Sequence, residues 1–169
     1  RVYSTPDISW ELDKNEGFVK ANIIGNAKSY NNLTINNATN ITSSRALFIP
    51  QYQIIEGLNF IKSFSYKNNE YKQTLTPKIG YLYTPYRNQD NLPIFDGGII
   101  GFSYDQLFAT NAFSGHDRVQ NANQISYALT SSITSEGKPK LDVGAGQIYY
   151  FTDRKVSMSN NSSNILQQL

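Results

Sequence analysis

Two kinds of side chain alternate along residues 71–86, which read YKQTLTPKIGYLYTPY. Apolar and aromatic residues occupy most of the odd positions, and Lys, Thr and Gly occupy most of the even ones. A period of two predicts a β-strand with one apolar and one polar face, and it is incompatible with an amphipathic helix. Such a strand requires neighbours whose apolar side chains fall on the same side of the sheet.

The preceding stretch meets this requirement. Residues 46–66 place their large apolar side chains on even positions, and a predicted turn at 67–70 joins them to the strand 71–86. Antiparallel pairing around that turn puts Tyr66 opposite Tyr71, so even positions face odd ones and both apolar sets share a side. A slip of one residue would turn one strand inside out, so this agreement supports the pairing.

Over the whole chain, the pattern predicts an all-β, antiparallel, up-and-down sheet of about six strands. The predicted strands cover residues 2–12, 17–30, 46–66, 71–86, 119–134 and 141–154. Short turns near 13–16, 67–70 and 135–140 alternate with long loops at 31–45 and 87–118. Long strands with short periplasmic turns and long extracellular loops are typical of a transmembrane β-barrel. Residues 1–169 are then one part of a single outer-membrane barrel domain.

Aromatic residues gather at the two ends of the predicted strands, as in the aromatic girdles of outer-membrane barrels. One group lies at the short-turn end and comprises Phe64, Tyr66 and Tyr71. The other lies at the long-loop end and comprises Tyr81, Tyr83, Tyr86, Tyr149, Tyr150 and Phe151. A soluble β-sandwich with a Tyr-rich core and one solvated sheet face would show the same alternation, so it remains an alternative.

Composition excludes several other classes. Charged residues are only 17% of the chain and the net charge is +2, which is too small to indicate nucleic-acid binding. The absence of cysteine excludes thiolate metal sites and cysteine nucleophiles. The sequence contains no run of 18 apolar residues, so it predicts no transmembrane helix. The sequence begins at Arg1 inside a predicted strand without a signal peptide, so we expect a segment excised from a longer protein.

Two local features oppose uninterrupted strands. Glu56 falls on the apolar face, and Glu56-Gly57 is compatible with either a β-bulge or a two-residue turn. Pro50 and Pro77 have no N–H for a strand ladder and should weaken the pairing around them.

Four stretches, in order, carry a resemblance to a known family: LFIPQYQIIEGLNF, YKQTLTPKIGYLYTPYRNQDNLPIFD, LFATNAFSGHDRVQNANQISYALTSSI and GAGQIYYFTDRKV. They resemble the LptD family, the outer-membrane lipopolysaccharide-assembly proteins of Gram-negative bacteria, over about residues 47–156. The resemblance implies lipopolysaccharide transport and assembly at the outer leaflet, without enzymatic chemistry or a cofactor. It implies as partners lipopolysaccharide, outer-membrane lipids, the lipoprotein LptE in the barrel lumen, and the periplasmic LptA bridge through a domain that this chain lacks. It implies no nucleic acid.

Loop 87–118 is too long and too rich in Phe and Leu for a simple connection. We predict that it folds back over the barrel mouth and restricts passage through the lumen; the alternative is an exposed surface loop. Its predicted anchors are Leu92, Ile94, Phe95, Phe102, Leu107, Phe108 and Phe113. The plug candidates are Arg87, Asn88, Gln89, Pro93, Phe95, Asp96, Phe113, Asp117 and Arg118.

The polar face of the strands predicts a hydrophilic lumen past which sugar and phosphate groups could move. The candidate residues on this path are Lys72, Lys78, Gln120, Gln124, Ser126 and Thr130. Ordinary hydration of a barrel interior explains each of them equally well.

Signals for chemistry are weak. His116-Asp117-Arg118 contains the only His of the chain, so a catalytic reading has no second ligand or nucleophile; in the family it matches a structural corner, G-x-D-R. We expect Asp117 and Arg118 to form a salt bridge or to cap backbone groups. Asp90, Asp96 and Asp105 are an alternative calcium site, although their spacing is not that of an EF-hand. The rival functions are a porin-like or uptake channel and a soluble β-sandwich that binds glycans.

Overall fold

The fold is built from one large antiparallel sheet. The computed structural model describes residues 1–34, 42–90 and 92–158. Its strands are β1 (Val2–Ser4), β2 (Asp7–Lys14), β3 (Gly17–Thr34), β4 (Thr42–Leu58), β5 (Phe60–Tyr66), β6 (Asn69–Thr84), β7 (Gly98–Ile99), β8 (Phe113–Ser114), β9 (Ala122–Ser135) and β10 (Lys138–Tyr150). A 3₁₀ helix covers Tyr104–Phe108. The predicted all-β antiparallel fold is confirmed.

The sheet order is β1-β3-β4-β6-β9-β10, with β2 also paired to β3 and β5 also paired to β6. Strands β7 and β8 form a separate small ribbon inside the predicted loop 87–118. No helix in the described ranges has the length and apolar character that a membrane crossing requires.

The predicted strand 2–12 is wrong in its continuity. It consists of β1 and β2, separated at Thr5 and Pro6, and both strands pair with β3. Pro6 has no N–H to donate, but its carbonyl accepts a hydrogen bond from the backbone N–H of Gly25 at 2.8 Å. Strands β1 and β2 therefore pair with β3 in the same register on both sides of Pro6.

The predicted pairing around residues 67–70 is wrong by two residues. Tyr66 pairs with Asn69 rather than with Tyr71, and the turn consists of Lys67 and Asn68 alone. Both turn residues have positive φ, 47° and 63°, as a two-residue hairpin requires. A shift of two residues preserves the parity of the strand, so the predicted faces survive the wrong register.

Neither proposal for Glu56-Gly57 is correct. Both residues lie inside β4 and pair with β3 on one side and β6 on the other without a register shift there. The predicted strand 46–66 divides instead at Asn59, between β4 and β5. Both strands pair with β6 in the same register, and in that register Leu58, next to Asn59, lies across from Pro77. Pro77 has no ladder donor, which explains why the pairing stops at this point.

Other predicted boundaries also shift. Both ends of the predicted loop 31–45 belong to strands, because β3 continues to Thr34 and β4 begins at Thr42. The middle of this loop lies outside the described residues. The predicted turn 135–140 contracts to Glu136 and Gly137, both with positive φ.

The two faces of the sheet differ sharply. One, which we call the apolar face, carries the odd positions of β3, β6, β9 and β10 and the even positions of β4, including Glu56. Its large side chains are exposed; they include Ile23, Phe48, Tyr52, Ile54, Ile79, Tyr81, Tyr127, Leu129, Val143 and Tyr149. The opposite face, which we call the covered face, carries the intervening side chains.

Residues 85–121, which we call the covering segment, pack on the covered face and form the core with it. The sheet contributes Tyr30, Ile49 and Leu82, and the segment contributes Leu92, Leu107 and Phe113, all buried. Burial of each large apolar side chain stabilises the packed state by about 1.5–3 kcal/mol. The core therefore lies between the sheet and its own loop.

Candidate functional site: the covering segment and its attachment

Two polar relays attach the covering segment to the sheet. Gln53 donates from Nε2 to the carbonyl of Phe108 at 2.8 Å, and Asn22 on β3 holds its Oε1 at 2.9 Å. Gln51 donates to the carbonyl of Thr110 at 2.7 Å, and Asn26 holds it in the same way. Buried amides are stable only when their groups are paired, so each relay fixes both the strand register and the height of the segment.

Glycines on the covered face make room for the 3₁₀ helix. A Cβ atom on Gly80 would lie 2.9 Å from Cδ1 of Phe108, and one on Gly146 would lie 2.5 Å from Cδ1 of Leu107. Tyr104 approaches Gly144 in the same way, at 3.0 Å from the Cβ position. The helix therefore rests directly on the backbone of β6 and β10.

Gly80→Val should loosen the covering segment, because the added side chain must displace Phe108 at a cost of about 1–3 kcal/mol. We expect trypsin to cleave after the buried Arg118 about tenfold faster in the folded full-length protein. Gly101→Val is the matched control, since a Cβ on Gly101 meets nothing within 4 Å. Equal cleavage of the two variants would contradict a tight seat at Gly80.

Asp117 organises the part of the covering segment that contains residues 95–97, which we call the outer corner. Its carboxylate is fully buried, and Oδ2 accepts the backbone N–H groups of Phe95, Asp96 and Gly97 at 2.7, 2.6 and 2.6 Å. Oδ1 accepts a hydrogen bond from the guanidinium of Arg1. Hydrogen bonds from several N–H groups and a cation stabilise a buried carboxylate, as the expected capping role requires.

A cluster at the chain start ties this corner to β1. Arg1 also binds Asp96, at 3.0 Å, and His116 stacks on Tyr3 with 3.9 Å between ring centroids. The hydrogen bond from Arg1, together with that from the backbone of His116, holds the pKa of Asp96 well below its usual range. Phe95 lies against the Arg1 guanidinium, 5.1 Å from ring centroid to Cζ.

Arg118 and two amides hold the interior of the segment. Arg118 donates to the carbonyl of Leu92 at 2.7 Å, and its burial lowers the pKa of its guanidinium. Gln89 imitates a strand partner: it donates to the carbonyl of Val119 at 2.6 Å and accepts the N–H of Val119 at 3.0 Å. Asn111 bridges the carbonyl of Arg118 and the N–H of Gln120.

The plug candidates therefore separate into two groups. Gln89, Phe113, Asp117 and Arg118 are buried, whereas Arg87, Asn88, Phe95 and Asp96 are exposed and Pro93 is half-buried. The predicted anchors Leu92, Leu107 and Phe113 are buried and Phe108 is half-buried. Ile94, Phe95 and Phe102 are wrong as anchors; Phe102 is 74% exposed.

The lumen candidates also differ in position. Gln124 and Ser126 are buried beneath the covering segment, Thr130 and Lys78 are half-buried, and Lys72 is exposed near the short-turn end. Gln120 precedes β9 and belongs to the covering segment, so its placement on a strand is wrong.

Sequence reasoning missed the sheet side of the attachment. Polar residues two or four apart within apolar strands, Asn22 with Asn26 and Gln51 with Gln53, were an available signal. So was the pair of glycines, Gly144 and Gly146, two residues apart in a strand, since strand glycines often mark close approach of another backbone.

The alternative calcium site is wrong for the part of the chain that the structure describes. No group of three or more His, Cys, Asp or Glu residues there could hold a metal ion. Asp96 directs its carboxylate to Arg1 instead.

Comparison with known proteins extends the resemblance beyond residues 47–156. The LptD family model, LPS transport system D, matches residues 1–167. The LPS-assembly protein LptD of Coxiella burnetii is 39% identical over 161 residues, which cover 94% of this chain and 18% of that protein. The LPS-assembly protein LptD of Francisella tularensis subsp. novicida is 34% identical over 167 residues, which cover 96% of this chain and 19% of that protein.

The LPS-assembly protein LptD of Pseudomonas aeruginosa strain LESB58 is 42% identical over 117 residues, which cover 69% of this chain and 13% of that protein. The chain thus spans less than a fifth of the length of these curated relatives. Because the match covers nearly all of its described sheet and the whole covering segment, the chain belongs to the LptD family.

Proposed function

We propose that this chain is part of the wall of an outer-membrane β-barrel that transports lipopolysaccharide and assembles it at the outer leaflet. The observation that carries the proposal is a single sheet with one exposed face that is apolar apart from Glu56 and a few small polar side chains, and one polar face covered by its own loop. The names of the relatives, which are LPS-assembly proteins, supply the substrate. Residues 1–169 then form one portion of a single barrel domain.

The apolar face has the dimensions of a lipid-facing wall. Ile54, Ile79 and Leu129 are diagonal neighbours on β4, β6 and β9, each two residues from direct pairing with the next, and each is almost half exposed. Along β6 the apolar side chains run from Leu75 to Tyr83, which at about 3.3 Å per residue is a length of roughly 26 Å. Transmembrane strands need about 9–11 tilted residues, so this band fits one bilayer crossing.

The covering segment supplies a closure for the polar side of the wall. Its relays to Gln51 and Gln53 and its seat on Gly80 and Gly146 hold it on the covered face. In the proposed barrel, the two-residue turns face the periplasm and the covering segment faces outward, over the mouth. It restricts passage of other solutes while lipopolysaccharide moves through the assembly.

The proposed partners are those that the resemblance to the LptD family implies. Outer-membrane lipids contact the apolar face, lipopolysaccharide and the lipoprotein LptE occupy the polar side, and the LptA bridge acts through another domain of the whole protein. The polar-path candidates are Lys78, Gln124, Ser126 and Thr130, with Lys72 and Gln120 at their ends. The proposed role is transport, so the segment needs no catalytic group and no cofactor.

Both rival functions explain the faces less well. A soluble β-sandwich buries the apolar faces of its sheets against a second layer. In the described ranges Ile54, Ile79 and Leu129 have no such layer over them. A porin-like wall requires an open polar lumen, whereas here Gln124 and Ser126 are buried under the covering segment.

Photocrosslinkers placed on the two faces of the full-length protein in cells test the proposal. We expect Ile79 and Leu129 to give adducts with membrane lipids, and Lys78 and Thr130 to give adducts with lipopolysaccharide or a lipoprotein. The positions are matched, because each pair joins neighbouring strands β6 and β9 on a single face.

Lipid adducts from neither Ile79 nor Leu129, in normally assembled protein, would overturn the wall assignment. If Ile79 and Leu129 give lipid adducts but Lys78 and Thr130 give only water-quenched products, the assignment as barrel wall stands. The polar face of this chain is then not on the lipopolysaccharide path.

A further inference from the structure

Two polar side chains on the covered face of β3 are buried without a partner in the described part of the chain. Lys28 is 3% exposed and Tyr30 is 1% exposed. The Nζ of Lys28 and the hydroxyl of Tyr30 are inaccessible and have no hydrogen-bond partner there. The residues are two apart on one strand, so their side chains leave the sheet on the same side.

An unpaired buried ammonium group is costly. Moving an ion out of water costs several kcal/mol after relaxation, and native proteins pair such groups or bind an ion or water to them. A buried hydroxyl without a partner is also destabilising, because it has lost its hydrogen bonds to water. Two such donors, two residues apart on one face of β3 and close to the charges of Arg118 and Asp117, indicate a missing acceptor.

The surrounding charges specify the sign of that acceptor. The charges acting on Lys28 are those of Arg118, Asp117, Arg1 and Asp96. Both carboxylates are already engaged: Asp117 accepts three backbone N–H groups and Arg1, and Asp96 binds Arg1. Among these charged groups, Lys28 is the cation whose charged atom has no hydrogen-bond partner in the described residues, so the missing acceptor should be an anion.

We propose that Lys28 and Tyr30 form a binding site for a phosphate group between β3 and the covering segment. A phosphate supplies several strong acceptor oxygens, which suits an ammonium donor beside a hydroxyl donor. Arg118 adds positive potential from the segment side. The group can come from free inorganic phosphate or from a phosphorylated lipid.

This site does not require the proposed function. Binding of inorganic phosphate tests the site alone, and binding of a phosphorylated lipid tests whether it also belongs to the transport path. The phosphate site can therefore be correct even if its place on the transport path is wrong.

The test uses the full-length protein in detergent micelles and radiolabelled inorganic phosphate in equilibrium dialysis. Lys28→Met and Tyr30→Phe remove one donor each with little change of shape. Because hydrogen bonds to charged groups contribute about 1.5–3 kcal/mol, we expect phosphate to bind about 10-fold to 100-fold more weakly to Lys28→Met. Lys20→Met is the matched control, since Lys20 leaves β3 on the same side, but its side chain is 41% exposed and pairs with Glu11 at 3.8 Å.

Retained heat-modifiable migration in gels verifies that each variant is folded. A second dialysis keeps the labelled inorganic phosphate as the ligand and adds a competitor. The competitor is either phosphorylated lipopolysaccharide or its dephosphorylated form. Displacement of the label by the phosphorylated form alone identifies the lipid as a source of the group, and displacement by neither identifies a free-phosphate site. Absence of phosphate binding in the parent protein, or equal binding by the parent, Lys28→Met and Tyr30→Phe, would overturn the proposal.

Discussion

Replacement of residues 87–118 by a short Gly-Ser linker should make cells carrying the variant permeable to large antibiotics such as vancomycin. The covering segment fills the covered face of the sheet, and its removal exposes Gln51, Gln53, Gln124 and Ser126 to water. The flanking strands should remain paired, because Thr84 and Ala122 already lie opposite each other at the end of the β6–β9 ladder. A short connection can close this ladder as a hairpin.

Antibiotic uptake and surface lipopolysaccharide are the two quantities to measure, in cells with equal amounts of assembled barrel. Replacement of the opposite turn, Lys67-Asn68 by Asn-Gly, is the control, because it alters a two-residue turn at the other end of β6 with the same positive-φ requirement. We expect higher uptake only for the shortened loop. Unchanged uptake in a correctly assembled variant would remove the restricting role from the covering segment.

The strand pattern of this sequence predicts faces well and positions poorly. Ile54 and Tyr81 were assigned to the apolar face from parity alone, and they pair there. The turn at Lys67-Asn68 was placed two residues too wide, because alternation contains no information about how tight a turn is. The tight turn depends on the positive φ of both residues, and a lysine in the sequence does not indicate a positive φ.

The candidate site was predictable in its general location but not in its attachments. Composition identified residues 87–118 as a folded loop, since Leu92 and Phe113 had to be buried somewhere. It did not distinguish Phe113 from Phe102, because both have the same hydrophobicity and only the path of the backbone decides which one meets the sheet. Lys28 was missed for a related reason: a lysine on a polar strand face is ordinarily exposed.

Asp117→Asn should open the outer corner of the covering segment. The neutral amide retains one oxygen for the N–H groups of Phe95, Asp96 and Gly97, but it loses the charge that strengthens all three bonds and turns an N–H donor toward Arg1. Removing one partner from a buried ion pair costs about 3–5 kcal/mol. Because the hydrogen bonds are local to the segment, we expect local opening and an intact sheet.

Hydrogen exchange of the backbone amides at residues 95–97, in the full-length protein, measures this opening directly. A cost of about 3 kcal/mol accelerates exchange through local opening by a factor of roughly 100. Asp96→Asn is the matched control: it makes the same chemical change in a carboxylate that binds the same Arg1, but its side chain is 45% exposed and accepts none of these three N–H bonds. We therefore expect little acceleration from it.

The comparison of these two variants separates a buried anchor from a surface ion pair. If Asp117→Asn and Asp96→Asn accelerate exchange equally, the attachment depends on Arg1 and its exposed pairing, which salt should then weaken. If only Asp117→Asn accelerates exchange, the three backbone bonds hold the corner, and antibiotic uptake should rise in that variant as it does on shortening the loop. Opening of the corner without increased uptake would show that the seat on Gly80 and Gly146 is sufficient to keep the covered face closed.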